Sequence, residues 1–279
     1  MHRNHFLYVS LFILSGCSVQ KAEPELFAPI NFSAVYGLSV DITTKASIYD
    51  IDQMEPIQIL RSDGTAANYS AHTAPDLTGT VAADGTVTPS VPQYYDLSGA
   101  QANFMAFYPV ARTILSGIAN FKITGQEDVT AAQNVYAGSS GSPTTVAFAF
   151  RHLLAQVRIQ VCAQSASDAS SWGTITYLKI ETPTSLNLNL NAWPALSAAS
   201  NPENEFLPTS IGNNASQTIT TTYASAGSLM ILNATYPLQV KVKTANKAEQ
   251  TVNTSIWYVV IGNVYTIKLF FKINSIELQ

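Results

Sequence analysis

The sequence contains few of the residues that most often carry catalysis or bind metals. Only two cysteines and four histidines stand in its 279 residues, and two of those histidines fall within the first five positions. Beyond residue 17 only His72, His152 and Cys162 remain, and no two of them have the short spacing of a zinc site. Cys162 is predicted to be a small buried residue and not a nucleophile. We therefore expect no metal and no cofactor.

Charge is scarce as well, and basic charge is the scarcer kind. Charged residues make up 11% of the chain, with 14 Lys and Arg against 18 Asp and Glu, for a net charge of −4. Proteins that bind nucleic acid usually carry a basic surface, so this composition argues against that class. After residue 14 no apolar run approaches the length of about 20 residues that a membrane-spanning helix needs.

The remaining candidates for chemistry have simpler structural explanations. His152 is predicted to be a hydrogen-bonded structural residue. Paired carboxylates can hydrolyse sugars, but neighbouring acids in loops are usually just solvated; the pairs in question are Asp50 with Asp52 and Glu127 with Asp128. Packing within a core or between domains is the simpler explanation for the aromatic residues that could stack on a sugar, namely Tyr94, Tyr95, Trp172, Trp193 and Trp257. We therefore predict no catalytic residues and no enzyme activity.

The first residues have the pattern of a bacterial lipoprotein signal. Arg3 precedes a nine-residue apolar run from Phe6 to Leu14, which is too short to span a bilayer. The small residues Ser15 and Gly16 then stand directly before Cys17, as in a lipobox. The sequence predicts a signal peptide over residues 1–16, lipidation of Cys17, a membrane anchor through that lipid, and a tether over residues 17–27.

The stretch from Thr144 to Val161 is a long run of alternating apolar residues. Phe148 and Phe150 share one parity, whereas Val157 and Ile159 lie on the other. Because strand side chains alternate between faces, each half predicts a half-buried strand. The parity changes at Arg151-His152, which indicates a bulge or a strand that leaves one buried face and joins another. We expect this stretch to close one β-domain and lead into the next.

Short β-prone segments fill most of the remaining chain. A first strand is predicted near residues 29–40, where the alternating apolar positions are Ile30, Phe32, Ala34 and Tyr36. Two Asp-Gly pairs, Asp63-Gly64 and Asp84-Gly85, predict hairpin turns. Further strands are predicted at 174–182, 185–191, 217–223, 228–232, 236–244, 254–261 and 263–273.

Helical periodicity is almost absent from the chain. Residues 126–138 are the one stretch with a weak helical pattern, and the Ser-, Ala- and Asp-rich stretch 164–171 is predicted to be a domain boundary. Short strands separated in this way are typical of β-sandwiches and not of βαβ units. The chain is therefore predicted to be all-β, with one sandwich domain over residues 28–163 and a second over residues 164–279.

Several segments, in order along almost the whole chain, resemble the fimbrillin family of pilin-like lipoproteins from type V pili. The most specific are Ala106-Phe107-Tyr108-Pro109 and the Phe-x-His-x-Leu-Ala element at residues 150–155. The others are the lipobox, Ile30-Asn31-Phe32-Ser33, Thr44-Lys45-Ala46, Tyr94-Tyr95, Gln133-Asn134-Val135-Tyr136-Ala137-Gly138 and Gly262-Asn263-Val264-Tyr265-Thr266-Ile267.

This resemblance implies two consecutive sandwich domains of transthyretin-like topology, exported to the outer membrane. It implies that a trypsin-like protease removes the first strand, with Lys45 and Ala46 flanking the candidate cleavage site, although family members usually carry Arg where this chain has Lys45. A strand from another fimbrial subunit then fills the vacated groove, in which main-chain hydrogen bonds give affinity and alternating side chains give fit. The expected function is a stalk, tip or accessory subunit that supports adhesion to a host or bacterial surface ligand.

Two other functions remain open from the sequence. A stand-alone surface glycan-binding lipoprotein would use the aromatic residues as a platform and would not need a separable first strand. A hydrolase would require two carboxylates facing each other across a cleft, about 5–10 Å apart.

Overall fold

Alternating apolar side chains produce a chain built almost entirely from short β-strands. The computed structural model describes residues 28–36, 56–192, 196–199, 204–208, 217–234, 237–256 and 258–279. In chain order its strands are β1 (Phe32–Tyr36), β2 (Ile57–Asp63), β3 (Leu77–Val81), β4 (Val87–Pro89), β5 (Ala102–Tyr108), β6 (Thr113–Leu115), β7 (Ile118–Lys122), β8 (Thr130–Ser139), β9 (Ser142–Pro143), β10 (Val146–His152), β11 (Ala155–Ala163), β12 (Thr174–Pro183), β13 (Ser185–Asn189), β14 (Leu196–Ala198), β15 (Asn204–Pro208), β16 (Gln217–Thr218), β17 (Ala224–Ile231), β18 (Gln239–Thr244), β19 (Gln250–Asn253), β20 (Val264–Lys272) and β21 (Ser275–Leu278). One helix, α1 (Ala166–Trp172), lies between β11 and β12 within these ranges.

The strands of the described residues form four sheets. The first has the order β1-β10-β8-β5-β2-β3-β4, with β9 paired to β8. The others have the orders β17-β11-β20-β21, β15-β12-β18-β19 with β16 beside β12, and β14-β13-β7-β6. Most neighbouring strands are antiparallel, but β1 pairs with β10 in parallel and β11 pairs with β20 in parallel. The predicted all-β class is therefore confirmed.

The stretch with the parity change is two strands that belong to different sheets. Phe148 and Phe150 of β10 are fully buried in the first sheet, and Val157 and Ile159 of β11 are fully buried in the second. The buried residues Leu153 and Leu154 lie between the two strands. At Arg151-His152 the chain therefore leaves one buried face and joins another. This was one of the two explanations predicted from the parity change.

Buried apolar side chains of the described residues form two clusters. One lies within the first sheet and includes Phe32, Phe104 and Phe148. The other includes Trp172, whose ring centroid lies 5.2 Å from that of Phe271, and it also takes side chains from β5, β7 and β11. The sheet β14-β13-β7-β6 likewise joins strands from both sides of residue 163. The division into domains at residues 28–163 and 164–279 stays a prediction.

The helix prediction for residues 126–138 is wrong. Most of that stretch is β8, which pairs with β5 on one side and β10 on the other, and this long-range pairing outweighs a weak local pattern. The observed helix α1 instead lies in the predicted domain boundary. The Ser165 hydroxyl caps its first turn by accepting from the Asp168 backbone N–H at 3.1 Å. No helix in the described part of the chain has the length and apolarity to cross a membrane.

The turn and strand predictions succeed at some positions and fail at others. Asp84-Gly85 joins the antiparallel strands β3 and β4, with Gly85 at φ +84°, so that hairpin is confirmed. Asp63-Gly64 also follows a strand, but a long loop separates it from β3, so no tight hairpin forms there. The strand predicted at 254–261 is wrong as well, since the described residues of that stretch contain only an isolated bridge between Val259 and Ala234.

Candidate functional site

The first strand lies between two backbones. On one side β1 runs parallel to β10, from Phe32 opposite Val146 to Tyr36 opposite Phe150. On the other side the Ala34 N–H donates to the Gly85 carbonyl at 2.7 Å, and the Ile30 N–H donates to the Gln93 carbonyl at 2.8 Å. The segment before and within β1 therefore fills a groove whose two walls are β10 and residues 85–95.

The inward side chains of this segment fill an apolar trough. Ile30, Phe32 and Ala34 are only 5%, 7% and 1% exposed, whereas Val35, on the opposite face, is 55% exposed. The Phe32 ring packs edge-on against Phe104 at 5.0 Å between centroids, and it stacks on Phe148 at 6.1 Å. The structure thus brings three of the four predicted first-strand residues into one core. The backbone of Tyr36 continues the strand, while its side chain lies outside the described part.

The groove wall at residues 85–95 is held by contacts that do not involve β1. The buried Tyr95 hydroxyl donates to the Ala137 carbonyl at 2.7 Å and accepts from the Thr144 N–H at 3.1 Å. The Arg61 guanidinium on β2 donates to the Tyr94 carbonyl at 3.0 Å and to the Gln93 side-chain oxygen at 3.1 Å. These contacts hold residues 93–95 of the wall without involving β1.

Gly85 brings the wall close to the strand. A side chain at this position would place its Cβ 2.5 Å from the Ala34 carbonyl oxygen, a distance that real Cβ atoms essentially never show. Its φ of +84° also favours glycine. The Asp-Gly turn was visible in the sequence, but its approach to Ala34 was not. Arg61 and Tyr95 carried no local signal of their role as supports of the groove.

The predicted lipidation and processing residues lie outside the described residues. This applies to Cys17, Lys45 and Ala46, so the predictions made for them stay predictions. The same holds for the carboxylates Asp50 and Asp52.

The other carboxylate pair does not form an acid–base constellation. Glu127 accepts hydrogen bonds from the Thr124 N–H at 2.6 Å and hydroxyl at 2.7 Å, and these outweigh the effect of burial and lower the pKa of Glu127. Asp128 instead contacts Nδ1 of His152, and burial raises the pKa of Asp128. No group of three or more His, Cys, Asp or Glu side chains suited to a metal occurs among the described residues. His152 is the structural partner of Asp128, where β10 ends.

The three aromatic candidates that the structure describes do not assemble into a surface platform. Tyr95 and Trp172 are buried in different clusters, and of the described candidates only Tyr94 is exposed. Trp193 and Trp257 lie outside the described part of the chain. Core packing is therefore the correct explanation for Tyr95 and Trp172.

Comparison with known proteins agrees with this architecture. A family model described as fimbrillin-like matches residues 44–278. A provisionally assigned cell adhesion protein from Bacteroides uniformis is similar over 90% of this chain and 96% of its own, with 17% identity and a TM-score of 0.61. A second one, from Bacteroides ovatus, is similar over 91% of this chain and 96% of its own, with 14% identity and a TM-score of 0.61. At such identities the two structures share the fold alone. No curated protein sequence matches the chain.

Proposed function

The chain belongs to the fimbrillin-like family, and from that premise we propose that it is a fimbrial subunit that polymerises by β-strand addition. As a member of this family it is a cell-surface structural protein and not an enzyme. In the proposed mechanism β1 occupies, in the precursor, the position that a strand of another subunit takes in the fimbrium. The subunit reaches the outer membrane as a lipoprotein anchored through Cys17, and the polymer supports adhesion as a stalk, tip or accessory component.

The observation that carries this proposal is the seating of β1. The segment from Ile30 to Tyr36 pairs with β10 on one side and donates two hydrogen bonds, from the Ile30 and Ala34 N–H groups, to residues 85–95 on the other. Its alternate side chains Ile30, Phe32 and Ala34 enter one apolar trough. The family match begins at residue 44, so both walls of the groove fall within the matched region while β1 falls before it.

Removal of β1 would create the acceptor site. It would leave unpaired N–H and C=O groups on β10 and on residues 85–95, beside an exposed trough lined by Phe104 and Phe148. Such an edge is a template for another strand. Burying one large apolar side chain contributes roughly 1.5–3 kcal/mol, so a donor strand with an aliphatic and an aromatic residue at alternate positions would bind firmly.

Cleavage between Lys45 and Ala46 is the proposed trigger. Lys45 is the next basic residue after Lys21, and it follows β1, so cleavage there would separate β1 from the rest of the chain. The remaining fragment would then exchange β1 for a strand of another subunit. The intact precursor should stay monomeric because its own strand fills the groove.

The proposal is tested by determining which residue is the mature N-terminus and whether the protein polymerises. Lys45→Ala should leave the protein unpolymerised at normal surface levels, whereas the matched control Lys21→Ala should give the SDS-resistant ladder of the wild type. Mass spectrometry of surface-released wild-type protein should find Ala46 as the first residue. A mature N-terminus still at Cys17, combined with normal assembly of Lys45→Ala, would refute the mechanism at this site.

A further inference from the structure

The solvent face of the sheet β15-β12-β18-β19 carries a group of lysines. Lys179 on β12 and Lys241 on β18 are direct cross-strand partners, and the next pair on the same face of these strands is Tyr177 with Lys243. These side chains alternate with fully buried residues of the same strands, such as Leu178 and Val242, so they lie together on the outer face.

The ammonium groups of two of these lysines lie near the ring of Tyr177. Lys179 Nζ lies 4.5 Å from the centroid of the Tyr177 ring, and Lys243 Nζ lies 5.8 Å from the same centroid. The tyrosine is fixed at its other end, where its hydroxyl donates to Glu249. That carboxylate also lies 3.5 Å from Lys241 Nζ. The hydroxyl and Lys241 therefore share one carboxylate, while the two other lysines face the ring.

This arrangement leaves positive charge without a matching carboxylate. Among the described residues, no carboxylate oxygen lies within 4 Å of the ammonium groups of Lys179 and Lys243. The other acid on this face of β12 is Glu181, which lies two residues along the strand from Lys179 and is the register partner of Phe206 on β15, so two carboxylates stand beside three lysines. Like charges directly opposite each other in a sheet are destabilising. An anionic partner would remove that cost.

We propose that this face binds an acidic polysaccharide through its sulfate or carboxylate groups. The proposal rests on the surface role proposed above, because such polymers are components of the surfaces that an adhesion protein meets. Lysine recognises an anion as a flexible point charge, which suits irregularly spaced groups on a polymer. Nucleic acid fits less well, because the chain as a whole carries a net charge of −4 and Tyr177 is already engaged by lysines instead of being free to stack on bases.

The spacing of the lysines agrees with a polymer lying across the strands. Neighbouring strands lie about 4.8 Å apart, and alternate residues of one strand lie about 6.8 Å apart. The ammonium groups of Lys179 and Lys243 can thus contact neighbouring acidic groups of one extended chain. Polar side chains of β19 continue the face beyond the lysines, since Thr251 pairs with Lys241 and Asn253 pairs with Gln239.

The test compares two variants with the same change of charge. Lys179→Gln with Lys243→Gln removes the two lysines that face the ring. Arg112→Gln with Lys268→Gln removes two exposed cations elsewhere, on residues outside the groove. Binding of detergent-solubilised full-length precursor to immobilised heparin and polygalacturonate is measured at low salt, with neutral dextran and duplex DNA as further probes. The precursor is used because its binding does not depend on cleavage or assembly, so failure here is distinguishable from failure of the fimbrial mechanism.

We expect the wild type to bind at least one of the two acidic polysaccharides, and whichever is bound more tightly identifies sulfate or carboxylate as the preferred group. The Lys179→Gln, Lys243→Gln variant should bind about tenfold more weakly, the control within about twofold, and Lys179→Arg with Lys243→Arg should retain binding. Melting temperatures of all variants confirm that each is folded. The proposal is overturned by a wild type that binds neither acidic polymer, by equal losses in the two Gln variants, or by DNA binding as tight as that of the polysaccharides.

Discussion

The contact between Gly85 and Ala34 gives the most direct test of how β1 is held in its groove. Gly85→Ala would place a methyl group 2.5 Å from the Ala34 carbonyl oxygen, where only movement of one backbone or the other can relieve the overlap. The chain also supplies a matched control. Gly99 has a similar φ, +78° against +84°, but a Cβ built there meets no atom within 4 Å.

The difference between the two variants isolates the contact with the strand. Placing an L-residue in the left-handed region costs roughly 1–2 kcal/mol, and both substitutions carry that cost. Only Gly85→Ala also weakens the hydrogen bond from the Ala34 N–H to the Gly85 carbonyl, which contributes about 0.5–1.5 kcal/mol. Detachment of β1 should therefore be roughly two- to tenfold more frequent in Gly85→Ala than in Gly99→Ala.

Hydrogen exchange followed by mass spectrometry measures that detachment. A peptide covering residues 28–36 should exchange faster in Gly85→Ala, while peptides from β12 and β18 should exchange as in the control. If β1 is equally protected in both variants, the close approach of Gly85 does not hold the strand, and the groove wall at residues 85–95 is wrongly assigned.

Two further predictions follow from burial and charge, and a third follows from the lipobox at Cys17. Phe150→Ala should lower the free energy of unfolding by about 3–5 kcal/mol, and Val35→Ala, at a half-exposed position, by far less; equal melting temperatures would contradict the burial of Phe150. Burial raises the pKa of Asp128 above its usual 3.8, so the melting temperature of the wild type should fall relative to that of Asp128→Asn as the pH rises from 3.8 through the raised pKa; a wild-type melting temperature that rises relative to that of Asp128→Asn over this range would contradict the burial of Asp128. Cys17→Ala should abolish incorporation of labelled palmitate, and labelling equal to that of the wild type would exclude a lipid anchor at Cys17.

The sequence patterns that succeeded were local ones. Alternation with period two identified the buried faces of β10 and β11, and it placed Ile30, Phe32 and Ala34 on one face of the first strand. The turn at Asp84-Gly85 was readable for the same reason, because its geometry depends on two neighbouring residues.

What the sequence could not supply was the partner of each element. Nothing local indicates that β1 runs parallel to β10, more than a hundred residues away, or that β8 is a strand because β5 and β10 flank it. The pairing of Asp128 with His152 and the support of the groove by Arg61 likewise depend on strands brought together by the whole fold. Pairing free energy is non-local, so a pattern within one segment does not contain it.

The two-sided seating of β1 also has a mechanical consequence. A strand held along both edges and pulled along its own axis is loaded in shear, so its hydrogen bonds to β10 and to residues 85–95 must yield together instead of opening one after another. In a fimbrium joined by a strand in the same seat, tension along the fibre would act on every subunit junction in this way. The inward side chains of that strand would have to be dragged past the rings of Phe104 and Phe148 at the same time. A joint of this kind would resist a pull along the fibre better than its binding free energy alone suggests.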